Sequence, residues 1–139
     1  EEAITHMATL ATHTTYGVAG FVQEGAVFAL GRGAAFEAGV AEPFRRRRDL
    51  ALDLLEGQSV IRAVPPSGGM FVMLDIRATG LSGEDFAERL LDEHLVAVMP
   101  GESFGRAAAG HVRVALTVED EQLTAALGHV IELAEELAG

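Results

Sequence analysis

The residue of this sequence with the clearest chemical potential is Arg113, a single charge within the apolar run 112–116. The run is typical of a strand, on which Arg113 and Ala115 point to one face and their valine neighbours to the other. A guanidinium is a planar fork that binds a carboxylate through two hydrogen bonds and stays charged at any working pH. The residues alone leave three interpretations open: an ion pair with an acidic neighbour such as Asp75, an edge-strand charge facing water, or an anion site.

Four consecutive arginines at 45–48 are the second concentration of charge. Consecutive helical positions are rotated by about 100° around the axis, so the four side chains do not form one basic face. Glu42 precedes Arg46 by four residues, and Arg45 precedes Asp49 by four residues. This spacing brings side chains close enough on a helix to form ion pairs. The pattern therefore predicts a solvated, ion-paired helix and not a nucleic-acid patch.

Other residue types give weaker signals. The histidines at 6, 13, 94, 111 and 129 show no metal-ligand spacing, so the sequence predicts no metal site. Ser67 and Ser103 have no visible base partner in the sequence. Taken singly, Phe71 and Phe104 are expected in the core.

Composition narrows the possible functions further. The chain has 139 residues and a formal net charge of -11, which argues against nucleic acid or an anionic membrane as the main partner. All 10 basic residues are arginines, so no lysine side chain of this chain can form a Schiff base. There is no cysteine, no basic signal-peptide start and no apolar run of about 18 residues. We therefore expect a soluble, cytoplasmic protein.

The hydrophobic periods predict the elements that must position Arg113. Helices are expected over 2–13, 19–31 and 34–56, the second buried between other elements and the third kinked or restarted at Pro43. Two further helices are predicted after the caps Ser82 and Thr117. Strands are expected over 60–64, 70–76, 95–99 and 111–116. The chain divides on this basis into a helical part, 1–57, and an α+β part, 58–139, with about four strands and two helices.

Several of these motifs, in this order and spacing, resemble the C-terminal third of class I/II aminotransferases, which are pyridoxal-phosphate enzymes of fold type I. The motifs are Pro66–Phe71, Val98–Gly101 with Phe104-Gly105, and Val112–Ala115, preceded by Arg47-Arg48-Asp49 in the long helix. The likeness covers essentially the whole chain. It implies an α+β fold: a small C-terminal domain with a short, mostly antiparallel sheet and two covering helices. Residues 1–57 would be the helical end of the large domain plus the long interdomain helix.

The resemblance also implies roles for individual residues. Arg113 matches the arginine that binds the substrate α-carboxylate, and Phe71 matches an aromatic position on the substrate side of that site. The loop containing Thr15 and Tyr16 resembles one that reaches the partner subunit's active site. The expected activity is transfer of an amino group between an amino acid and a 2-oxo acid, with pyridoxal 5'-phosphate as cofactor and a homodimer as the complete enzyme.

The family's cofactor lysine has no counterpart here, and none of the chain's residues is assigned to cofactor binding or to the catalytic step. We therefore expect the chain alone to be inactive and to need the N-terminal cofactor domain. Two alternatives stay open. One is a non-catalytic α+β module that binds a small carboxylate or a protein partner. The other is a related fold-type-I lyase or decarboxylase.

Overall fold

The computed structural model describes residues 1–139 and separates them into two compact units, Glu1–Val40 and Ala41–Gly139. The sequence-based division at 57/58 stays a prediction. None of the helices combines the length and the apolar character that a membrane-spanning segment requires.

The first unit is helical. It contains α1 (Glu2–Thr14), α2 (Gly20–Gly31) and the beginning of α3 (Ala34–Leu55), close to the predicted ranges. Neither α1 nor α2 has a buried residue, so the prediction that the second helix is buried is wrong for this chain. Large apolar side chains of both helices are exposed, among them Met7, Leu10, Phe21, Val27 and Phe28.

The second unit contains the end of α3 and a four-stranded sheet. The strands are β1 (Arg62–Val64), β2 (Phe71–Asp75), β3 (Met99–Pro100) and β4 (His111–Ala115), in the spatial order β1-β2-β4-β3, and every neighbouring pair is antiparallel. Helix α4 (Gly83–His94) lies between β2 and β3 in the chain, and α5 (Asp120–Ala138) follows β4. Short 3-10 helices occupy Arg77–Thr79, Gly101–Phe104 and Arg106–Ala108. The predicted mostly antiparallel α+β fold with two further helices is confirmed.

The sheet has two unlike faces. We call the first the core face; on it Val72, Leu74, Val112 and Val114 are buried. They belong to one cluster with residues of α3, α4 and α5, including Ala51, Leu55, Phe86, Leu90, Leu123, Leu127 and Val130. We call the second the open face; its residues, among them Phe71, Met73, Asp75, Met99 and Arg113, are half-buried or exposed.

Two predicted boundaries are wrong, and each has a local cause. The strand expected over 95–99 is reduced to Met99–Pro100 because Leu95 adopts the left-handed conformation (φ 57°) and donates its N–H to carbonyls of the last turn of α4. Helix α5 begins at Asp120 with Glu119 as N-cap, not at Thr117. By contrast, Ser82 caps α4 as predicted, and its hydroxyl accepts a hydrogen bond from the Asp85 N–H.

Helix α3 runs through Pro43 as one helix, and its arginines are not all solvated. Arg47 is buried, and its guanidinium donates to Glu119 at 2.9 Å, to Asp120 at 3.1 Å and to the Leu116 carbonyl at 3.4 Å. Arg46 donates to both oxygens of Asp120, at 2.7 and 3.0 Å, and does not pair with Glu42. The prediction of a solvated helix is therefore wrong for Arg47, and the predicted local pairing is wrong for Arg46, whose partner lies at the start of α5. Arg45 pairs locally, but with Glu42 at 2.9 Å and not with Asp49.

Candidate functional site

Arg113 lies on β4, an interior strand of the sheet. It is opposite Met73 of β2 and opposite Met99 of β3, so it occupies the middle of the open face. Its side chain is half-buried. The interpretation of Arg113 as an edge-strand charge facing water is therefore wrong.

Two aromatic rings lie against the Arg113 guanidinium. Its central carbon is 4.0 Å from the ring centroid of Phe71 and 4.7 Å from that of Phe104. Both distances are within the range of cation–π contacts, in which a flat guanidinium also stacks on the ring. Phe71 is 37% exposed and Phe104 48% exposed, so the prediction that they are core residues is wrong. They restrict the orientation of the guanidinium.

Arg113 makes no side-chain hydrogen bond and no ion pair in this structure, although five donors are available to it. The acidic neighbour proposed for it, Asp75, is bound to Arg77 instead, at 2.6 Å between Oδ2 and Nη2. The Arg77 guanidinium lowers the pKa of Asp75 to about 2, so this carboxylate stays ionised and already has a cationic partner. The ion-pair interpretation is therefore wrong for Asp75, and Arg113 keeps its donors available to an external anion.

The loop that carries Phe104 is fixed at its start by a carboxylate. Glu102 Oε1 accepts the backbone N–H groups of Gly110 and Gly83, each at 3.0 Å, and these bonds lower the Glu102 pKa. A Cβ on Gly101 would lie 1.9 Å from the Ala108 carbonyl oxygen, so only glycine fits there. Glu102 thereby joins the N-terminus of α4 to the residue before β4, a contact that no local pattern in the sequence predicts.

The chain matches the family model described as aminotransferase class I and II over residues 1–130. It belongs to the class I and II aminotransferase family. An arginine–pyruvate transaminase of Pseudomonas aeruginosa is 44% identical over 96% of this chain, and an aspartate aminotransferase of Pyrococcus horikoshii is 30% identical over 93% of it. Enzymes of this family use pyridoxal 5'-phosphate.

Solved aminotransferases share the fold. An aromatic aminotransferase from Pyrococcus horikoshii superimposes with a TM-score of 0.75 at 30% identity, over 96% of this chain and 36% of its own. The Thermus thermophilus aspartate aminotransferase with maleate gives a TM-score of 0.72 at 36% identity, over 95% and 34%. The chain spans about a third of the length of these curated relatives and solved structures.

The residues of this aminotransferase chain do not by themselves fit the cofactor. Pyridoxal phosphate is held in such enzymes as a Schiff base with a lysine amine. All 10 basic side chains here are arginines, which do not form that bond. The open face instead contains the oriented Arg113 guanidinium, a cation that can bind an anionic group.

The remaining predicted site residues lie in the first unit. Thr15 follows α1, and its hydroxyl donates to the Ala11 carbonyl at 3.2 Å. Tyr16 has a positive φ of 55° and is 88% exposed. Their contact with a partner subunit stays a prediction.

Proposed function

We propose that this chain is the C-terminal part of a pyridoxal-phosphate-dependent aminotransferase and that Arg113 binds the α-carboxylate of its amino-acid and 2-oxo-acid substrates. The observation that supports this most directly is the combination at Arg113: a half-buried side chain, with its guanidinium in contact with two rings and no acidic partner in the chain. A structural arginine at such a position would have a carboxylate beside it, as Arg47 and Arg77 do.

The carboxylate would receive two parallel N–H donors from the edge of the Arg113 guanidinium. Phe71 and Phe104 lie against the guanidinium, so we assign them to orienting this group and limiting its contact with water. A partly buried ion pair is worth more than a surface pair, because water competes less for the same donors. Maleate, which accompanies one of the similar solved structures, is a dicarboxylate and belongs to the class of anion proposed here.

The other functions of the enzyme would come from outside this chain. We propose that the cofactor lysine and the cofactor domain lie in the remaining two thirds of the family's length. On this proposal the 139 residues alone are inactive. We further propose that the complete enzyme is a cytoplasmic homodimer in which Thr15 or Tyr16 reaches the partner subunit's site.

The test is steady-state kinetics of the complete enzyme with Arg113→Ala. We expect KM to rise for both the amino acid and the 2-oxo acid, since each carries the carboxylate. Loss of a charge-assisted pair costs roughly 2–4 kcal/mol, or about 30- to 800-fold in KM. Arg113→Lys should recover only part of this loss, because a lysine amine lacks the planar fork.

Arg62→Ala is the matched control, since Arg62 is an exposed arginine on strand β1 of the same sheet. It should leave both KM values unchanged. An unchanged KM in Arg113→Ala, or an equal rise in the two variants, would overturn the assignment of Arg113.

A further inference from the structure

Two histidines far apart in the sequence come together on the two helices of the second unit. His94 is the last residue of α4, and His129 lies in α5. Their ring centroids are 4.7 Å apart, with an interplanar angle of 32°. The prediction of no metal site considered only neighbours along the chain, and the fold adds this pair.

A carboxylate completes the group. Glu132 lies three residues after His129 on α5, and its Oε2 is 3.4 Å from His129 Nδ1. One candidate ligand atom from each of His94, His129 and Glu132 can be chosen so that all three lie within 4.8 Å of one another. We propose that these three side chains form a binding site for a divalent transition-metal ion of the zinc class.

The chemical types of the three ligands determine which metal ions the site would prefer. Imidazole nitrogens suit Zn²⁺, Ni²⁺ and Cu²⁺, whereas Ca²⁺ and Mg²⁺ are bound through oxygen. Zinc bonds to nitrogen and oxygen of about 2.0–2.2 Å place tetrahedral ligand atoms roughly 3.3 Å apart, so the side chains have to close by about 1–1.5 Å. Rotamer adjustment is feasible because His129 and Glu132 are partly exposed. Three protein ligands leave the fourth position for water.

The position of His94 favours a cation as well. It lies in the last turn of α4, where the carbonyl ends of the helix carry partial negative charge. A metal ion bound there would link the end of α4 to the middle of α5. Its consequence for the protein is therefore a cross-link between two helices, independent of the carboxylate site at Arg113.

The experiment is a titration of the 139-residue chain with Zn²⁺ by isothermal calorimetry, with Co²⁺ absorbance as a second readout of the ligand set. We expect one equivalent to bind. We expect His94→Gln and His129→Gln each to weaken binding by at least about 10-fold, and Glu132→Gln to have a smaller effect. Zinc should also raise the melting temperature of the wild-type chain but not that of the doubly substituted chain.

His6→Gln is the matched control. His6 and Glu2 form a similar histidine–carboxylate pair, at 3.8 Å on α1, but without a second imidazole. This variant should bind zinc as the wild type does. Circular dichroism shows whether each variant is folded. Binding only at millimolar zinc, or undiminished binding by the folded His94→Gln/His129→Gln variant, would overturn the proposal.

Discussion

The same strands form both faces of the sheet, but the side chains on the two faces differ in type and burial. On β2, Val72 and Leu74 are 1% and 0% exposed, whereas Phe71, the first residue of the strand, is 37% exposed. On β4, buried Val112 and Val114 flank half-buried Arg113. The core face thus has packed aliphatic side chains, while the open face has aromatic, thioether and charged groups.

This difference separates residues that maintain the fold from residues that remain available to a ligand. Alternation along a strand places consecutive residues on opposite faces, so neighbours only one position apart can be tested against each other. The same contrast applies to arginines. Arg47 has its donors satisfied by protein carboxylates and a carbonyl, whereas Arg113 is in contact with two rings and has no anionic partner.

The largest effect is expected from Leu74→Ala on the core face. Removing a fully buried leucine side chain leaves a cavity and should lower the free energy of unfolding by about 2–5 kcal/mol. The adjacent Met73→Ala, on the open face opposite Arg113, should cost clearly less. Urea denaturation of both variants measures the difference. Equal losses would show that the open face contributes to the core of this chain as strongly as the core face does.

The alternation behind this prediction is also what made most of the fold predictable. The periods of the apolar residues located all five helices and the strands β1, β2 and β4 to within a few residues. The errors came where a distant contact or a helix end decided the outcome. Leu95 ends α4 in a left-handed conformation, which shortens β3. Asp120, the first residue of α5, accepts hydrogen bonds from Arg46 and Arg47 of α3.

Less of the candidate site than of the fold can be predicted from the sequence. Arg113 is recognisable in the sequence because a charge within an apolar strand is unusual. Its contact with Phe104 and the hydrogen bonds of Glu102 to Gly83 and Gly110 join separate segments. No local period encodes such contacts, because they depend on the pairing of β4 with its neighbours and on the path of the loop 101–110.

The next effect in size concerns the arginine that supports the fold. Arg47→Met should lower the free energy of unfolding by about 2–3 kcal/mol, since it removes a buried donor and leaves the Leu116 carbonyl and two carboxylates without it. Arg46→Met is the control: Arg46 pairs with the same Asp120 but is exposed, so its loss should matter less. Chemical denaturation compares the two. If Arg113→Met proved as destabilising as Arg47→Met, the distinction between a structural and a ligand-binding arginine would fail.

The smallest expected effect is on the pH dependence of folding stability, through Asp75 on the open face. Arg77 holds the pKa of Asp75 at about 2, below its ordinary value of 3.8, so the pair stabilises the folded chain above pH 3.8 and progressively less down to pH 2. Asp75→Asn should remove about 1 kcal/mol of this acid-sensitive stability, a modest amount because solvent screens the exposed Arg77. The pKa values of Glu102 and Asp120 are also lowered, so part of the acid dependence should persist in the variant. Denaturation curves between pH 2 and 6 measure it, and identical pH profiles for variant and wild type would show that Asp75 is not stabilised by Arg77.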